Sequence, residues 1–183
     1  LDFKSMYPSI MISNNICYTT RVDNDYTSTE VNQSPSGTKF LKTEVREGLV
    51  PRLLEDLMTQ RDNHKSLMKS VTDKSERLFH DQMQYAVKIL MNTFYGVFAS
   101  AFYRFTHPDI GSAITAWARF NIKKIINTLD EEGHPVVYSD TDSIFVSSPE
   151  EGKDALVSFG HELANRFTKE GAELEFEKGL SVF

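Results

Sequence analysis

Apolar residues at Leu49, Leu53, Leu54, Leu57, Met58, Leu67 and Met68 recur at helical spacing across residues 48–70. Pro51 falls in the first turn of that helix, where its missing N–H costs nothing. Val71-Thr72-Asp73 reads as a turn carrying an N-cap, and a second helix runs from about Asp73 to Tyr95 with Gly96 as its stop. Two helices joined by so short a turn form an antiparallel hairpin. A third helix covers roughly 109–132 and stops at Gly133. After it, Pro135-Val136-Val137-Tyr138 and Ser143-Ile144-Phe145-Val146-Ser147 read as strands on either side of a tight turn, Asp140-Thr141-Asp142. A last helix spans about 150–170, and Glu173 to Glu177 alternates like a strand. At the opposite end, Leu1-Asp2-Phe3 closes a strand. Tyr7-Pro8-Ser9-Ile10-Met11-Ile12 follows as a turn and a short apolar stretch, with Pro8 at a first helical position. Residues 19–39 are polar and read as a loop, with room for a hairpin. The order of elements predicts an α+β fold: an antiparallel sheet with an inserted antiparallel helical hairpin.

Composition narrows the class without deciding it. The chain has 183 residues, of which 40% are hydrophobic and 25% charged, as in an ordinary globular protein. Its single cysteine, Cys17, cannot form an internal disulfide, which fits a reducing compartment. No apolar run approaches the ~18 residues that span a bilayer, and no signal peptide is visible. The expected location is therefore intracellular: cytoplasm or nucleoid, or the nucleus of a eukaryote, with no membrane partner. The chain opens at Leu1 inside an apolar pattern, which suggests a piece of a longer protein.

Charge distribution says more than total charge. The net charge of −6 argues against a free-standing duplex binder. Between Asp130 and Glu177, 13 acidic residues stand against three basic ones, Lys153, Arg166 and Lys169. Between Arg61 and Lys88, six basic residues stand against four acidic ones. Charge by itself reads as two solvated helical faces of opposite bias. The functional reading is an acidic metal-binding region and a basic phosphate-binding one.

Three groups of residues carry candidate chemistry. Asp140 and Asp142, one residue apart at a hairpin tip, repel each other unless a cation lies between them, and hard oxygen ligands suit Mg²⁺. As an isolated pattern this is more often a solvated loop; apolar strands on both flanks favour a turn that caps a buried element. Asp2 ends a strand, and Ser5, Met6 and Tyr7 after it present consecutive backbone N–H groups at a turn, which suits phosphate. Lys88, Asn92 and Tyr95 share one helical face at i, i+4 and i+7, with Ile89, Leu90, Phe94 and Val97 available for packing elsewhere. Arg61 and Lys65 form a further i, i+4 pair on the preceding helix.

These residues carry a family resemblance. Asp2-Phe3-Lys4-Ser5-Met6-Tyr7-Pro8-Ser9-Ile10 resembles motif A of family B DNA polymerases, Asp-x-x-Ser-Leu-Tyr-Pro-Ser. Lys88 through Gly96 resembles motif B, Lys-x-x-x-Asn-Ser-x-Tyr-Gly, and Tyr138-Ser139-Asp140-Thr141-Asp142-Ser143 resembles motif C, Tyr-x-Asp-Thr-Asp-Ser. The three occur in the family's order, and the likeness has an archaeal or eukaryotic flavour. Met6, Thr93 and Ser139 depart from the commonest residues without removing a chemical group.

The resemblance implies a palm built from residues 1–42, with motif A, and 101–183, with motif C, and fingers built from 43–100, with motif B. It implies template-directed nucleotidyl transfer from a dNTP to a primer 3′-hydroxyl. Two Mg²⁺ ions, for which Mn²⁺ can substitute, are held by Asp2, Asp142, the Phe3 carbonyl and, more weakly, Asp140, with Glu177 as an auxiliary acid. It further implies that Ser5, Met6, Tyr7, Arg61, Lys65, Lys88, Asn92 and Tyr95 bind the nucleotide. In the same resemblance Lys88 protonates the leaving pyrophosphate, Tyr7 excludes a 2′-hydroxyl, and Tyr95 packs near Tyr7 and the new base pair. Implied partners are primer–template DNA, dNTP and the polymerase domains outside this chain: N-terminal domain, exonuclease and thumb. The isolated chain is then weakly active or inactive. Nucleotide cyclases also hold two metals on strand-end aspartates but need neither the Lys88-Asn92-Tyr95 face nor the Tyr7-Pro8 turn. Reverse transcriptases pair adjacent aspartates, whereas Thr141 separates these two. A catalytically inactive, polymerase-like structural or nucleotide-binding module is the remaining alternative.

Overall fold

The computed structural model describes residues 1–23, 25–149, 152–169 and 174–180. It divides into two compact units, residues 1–6 with 118–183 and residues 7–117.

The first unit is built on a four-stranded antiparallel sheet. In chain order its strands are β1 (Asp2–Phe3), β5 (Val136–Asp140), β6 (Ser143–Val146) and β7 (Leu174–Glu175), and across the sheet they run β5-β6-β1-β7. Although only two residues long, β1 is interior. Asp2 pairs with Ser143 on one side and Glu175 on the other, and Phe3 pairs with Leu174. An interior strand so short holds its register through neighbours distant in sequence. Leu1 and Phe3 accordingly bracket the hairpin, with Ile144 N–H donating to the Leu1 carbonyl and Phe3 N–H to the Asp142 carbonyl, both at 2.8 Å. Helix α5 (Lys153–Lys169) contributes Leu163, Ala164 and Phe167 to the core, beside Phe3, Ile144 and Leu174. The final helix was expected at about 150–170; residues 150, 151 and 170–173 lie outside the described residues, as do the first residue of the expected 173–177 strand and its approach.

The second unit carries the hairpin. Its elements are α1 (Met6–Ser13, from its second residue), β2 (Arg21–Val22), β3 (Val31–Gln33), β4 (Lys39–Leu41), α2 (Leu49–Ser70), α3 (Lys74–Ala99) and the start of α4 (Pro108–Glu131). The polar stretch read as a loop supplies a small antiparallel sheet, ordered β2-β4-β3. Phe40 is its buried anchor, 5.9 Å from the Trp117 ring. The first helix begins two residues before Pro8, which still lies in the first turn, where no intrahelical N–H bond is lost.

Asp73 caps α3, its carboxylate accepting from Glu76 N–H at 2.9 Å. Helix α3 then continues past the expected stop. Gly96 lies inside it, and the helix ends at Ala99, with Ser100 as the cap residue where the backbone turns extended. Tertiary packing overrides the glycine. Phe98 is buried, and Ala99 lies against Gly111 of α4, where an added Cβ would stand 3.1 Å from the Ala99 Cα. The apolar pattern also misassigns part of the buried face. Ile89 and Leu90 are about half exposed, at 53% and 49%, whereas His80, Val87, Met91 and Phe98 form the buried stripe. On α2 only Pro51 and Leu54 are buried. A pair of helices buries one seam, and the remaining apolar residues stay on the outside. His64 and His80 join the two helices across that seam, Nδ1 to Nδ1 at 2.9 Å. Among the described residues no helix is long and apolar enough to cross a membrane.

Candidate active site

The acidic group belongs to the sheet of the first unit. Asp140 ends β5 and pairs with Ser143, so Thr141 and Asp142 alone make the loop between strands. Thr141 has a φ of 51°, a left-handed conformation that a β-branched residue rarely adopts. Its hydroxyl donates to Asp140 Oδ1 at 3.1 Å, and Ser143 Oγ donates to the Asp140 carbonyl at 3.1 Å. The tip is thus a strained turn that holds two carboxylates close in sequence, Asp140 at the strand end and Asp142 in the loop.

Asp2 sits on the strand beside that tip. Its carboxyl is pushed above the ordinary carboxylate range, first by burial, then by the charge of Asp142 and then of Glu177, with Glu175 adding a smaller push. The Leu1 α-amino group offsets part of this. A carboxyl raised in this way by burial and by acidic neighbours lies in an anionic set short of positive charge, and such a set favours a hard divalent cation. Among the described residues no group of three His, Cys, Asp or Glu side chains is gathered closely enough to hold a metal unaided. The donor chemistry fits, with Asp2 and Asp142 as its centre. Asp140, which is exposed and bonded by Thr141, does not figure among the charges acting on Asp2.

The turn from β1 into α1 is set by Ser5, whose φ is 49°. The backbone amides of Ser5, Met6 and Tyr7 therefore lie at the first turn of a helix, the end where its dipole is positive. Met6 itself is buried and Ser5 partly so.

The cationic group belongs to the hairpin of the second unit. Lys88 and Asn92 are exposed on α3, and Tyr95, one turn on, is half-buried. They lie beside the buried Val87–Met91 stripe rather than on it, which leaves their polar ends in solvent. Arg61 and Lys65 are partly buried on α2, on either side of the level at which His64 meets His80. Tyr7 and Tyr95 touch, with ring centroids 4.4 Å apart and planes tilted by 34°. Two aromatic residues distant in this unit's sequence thus form one ledge, the geometry of an attractive ring pair.

Sequence reasoning passed over Glu175, which also acts on Asp2, and over Asn15 and Gly48, which join α1 to α2. Asparagine just beyond a helix end is a known left-handed cap, and the Asn14-Asn15 pair after α1 carries that signal, with Asn15 taking the left-handed position.

The model of DNA polymerase family B matches residues 1–182. The chain is 33% identical over 196 residues to the DNA polymerase delta catalytic subunit of Candida albicans, spanning 97% of this chain and 19% of that protein. It is 38% identical over 157 residues to a DNA polymerase of Thermococcus sp. (strain 9oN-7), spanning 85% of this chain and 20% of that protein. The solved structure of the family B DNA polymerase from the hyperthermophilic archaeon Pyrobaculum calidifontis matches with a TM-score of 0.73 at 29% identity, over 97% of this chain and 23% of that one. The chain spans about a fifth of the length of these relatives.

Proposed function

The chain belongs to DNA polymerase family B, and on that premise we propose that it is the palm and fingers portion of an enzyme that adds deoxynucleotides to a primer 3′-hydroxyl under template direction. The palm comprises residues 1–42 and 101–183, and the fingers comprise 43–100. The observation that carries this reading is the pairing of Asp2 with Ser143 beside the Asp140–Asp142 tip, with the Asp2 carboxyl raised first by burial and then by Asp142. Two acids from motifs far apart in sequence form one anionic centre.

Asp2 and Asp142 would hold two Mg²⁺ ions, assisted by the Phe3 carbonyl, Asp140 and Glu177. Bound there, the ions would supply positive charge for an in-line displacement and would lower the pKa of the primer hydroxyl. The rest falls to the protein. Arg61, Lys65, Lys88 and Asn92 bind the triphosphate and neutralise charge that grows on the leaving pyrophosphate. Lys88, whose ammonium is in solvent reach on α3, gives that leaving group a proton. The amides of Ser5, Met6 and Tyr7 at the helix terminus bind phosphate oxygens. Tyr7, backed by the Tyr95 ring, occupies the volume that a ribose 2′-hydroxyl needs.

The test replaces the corresponding segment of a complete related polymerase with residues 1–183. Asp2→Asn and Asp142→Asn should each lower Mg²⁺-dependent primer extension by orders of magnitude while the folded content is unchanged. Extension at near parental rate by either variant rejects the assignment of metal ligands. Lack of extension by the unsubstituted graft, with dNTP still bound, favours the inactive nucleotide-binding module.

A further inference from the structure

Asn15 ends α1 and joins it to α2. Ile16 N–H donates to the Met11 carbonyl at 2.8 Å and Asn15 N–H to the Ile12 carbonyl at 3.1 Å. These are the paired bonds of a Schellman helix end. Asn15 stands at its left-handed position, with a φ of 52°, where glycine is the usual residue. Asparagine tolerates that conformation less well than glycine, and its side chain shows what is gained. Nδ2 donates to the Leu41 carbonyl at 2.7 Å and the Arg46 carbonyl at 2.8 Å, while Oδ1 accepts from Gly48 N–H at 2.8 Å. Both amide hydrogens are used in a residue that is 1% exposed.

The partner at the other end is equally constrained. Gly48 is the N-cap residue of α2 and makes no side-chain cap bond. A Cβ on it would stand 2.8 Å from Asn15 Oδ1, 2.9 Å from Pro51 Cδ and 3.0 Å from Cys17 Cβ. The pair is therefore matched: the amide needs the backbone of residue 48 at hydrogen-bond distance, and only glycine allows it that close.

We propose that Asn15 is a positioning residue for nucleotide binding. By bridging the end of α1 to the first amide of α2, it sets the direction in which α2 leaves Gly48. It thereby sets where Arg61 and Lys65 stand relative to Tyr7. The nucleotide half of this inference rests on the reading of Arg61 and Lys65 as triphosphate ligands; the bridging half rests on the hydrogen bonds themselves.

The intact 183-residue chain, carrying Ser13→Cys and Gln60→Cys at two exposed positions, is labelled with nitroxides for distance measurement between α1 and α2. Asn15→Gly keeps the left-handed helix end and deletes only the bridge. Gly48→Ala keeps the amide and crowds it, and it serves as the second variant. Each should broaden or displace the single α1–α2 distance of the parent while circular dichroism retains the helices. Each should also weaken dATP binding by about tenfold in Mg²⁺, with affinity for Mg²⁺ alone unchanged. Distances that superpose on the parent's in both variants overturn the bridge. Shifted distances with unchanged dATP affinity overturn the link to the nucleotide. A parent chain that binds no dATP defeats the triphosphate reading of Arg61 and Lys65, while the distances still decide the bridge.

Discussion

At the scale of single residues, the acidic centre ties the proposed metal binding to stability. The Asp2 carboxyl is raised in the folded chain by burial, Asp142 and Glu177. A raised carboxyl binds its proton more tightly folded than unfolded, so its contribution to stability is present below the unfolded value. That contribution is lost as pH rises through the folded one. The metal-free chain should therefore lose stability from about pH 4 upward as Asp2 ionises, and Mg²⁺ should restore part of the loss. Asp2→Asn should flatten that pH dependence, raise Tm near pH 7 without metal and abolish the gain from Mg²⁺. Thermal melts across pH with and without Mg²⁺ measure all three, and an unchanged Mg²⁺ response in the variant removes Asp2 from the proposed metal site. The Tyr7–Tyr95 ledge makes a separate prediction. Tyr7→Ala in the grafted polymerase should raise ribonucleotide use relative to deoxynucleotide, read from competition between matched rNTP and dNTP. An unchanged ratio assigns sugar selection elsewhere. Lys88, exposed beside the buried stripe, should weaken dNTP use more than DNA binding when changed to alanine. Equal losses of both would put it on the primer or template.

At the scale of elements, the hairpin shows how far local signals reach. Asp73 acts as the cap that its position foretold, because an N-cap bond closes over three residues and needs no distant partner. Gly96 does not act as a stop, because Phe98 and Ala99 beyond it have places in the packing. Among the described residues, nothing lies within 4 Å of a Cβ built on Gly96. Alanine there should stabilise α3 by about 0.5–1 kcal/mol, visible as a higher Tm of the isolated chain. A lower Tm would mean that the glycine meets something this packing does not contain. The apolar residues outside the seam follow the same logic. Ile89, Leu90, Leu78 and Phe79 satisfy helical spacing, yet the single seam with α2 leaves them exposed.

At the scale of the whole molecule, charge and size limit what the chain does alone. It carries a net charge of −6 and spans about a fifth of its relatives' length. Duplex affinity grows with the number of phosphates neutralised and falls steeply with salt, and an acidic surface repels DNA at a distance. The isolated chain should fold, since each unit has a buried apolar core of its own. It should bind Mg²⁺ and dNTP weakly and fail at processive extension in ~0.15 M salt, where screening acts over about 8 Å. Primer extension by the isolated chain under those conditions would show that its own DNA contacts suffice.

The sequence by itself determined the family, the α+β class and the long helices. Three motifs in fixed order identify the first. Hydrophobic periodicity, Pro51, Asp73 and Gly133 mark the helices through interactions that close within a few residues. It also made the candidate site legible as residue types: acids at a strand end and a hairpin tip, cations at helical spacing. What only the tertiary structure decided is which of these meet. Nothing local states that a two-residue strand lies between β6 and β7, that Glu177 acts on Asp2, or that Tyr7 stacks on Tyr95. Nothing local brings Asn15 to Gly48 or His64 to His80. Those pairings are made by chain reversals and by packing one helix seam rather than another. They depend on which apolar face finds a partner, a property that no window of sequence contains.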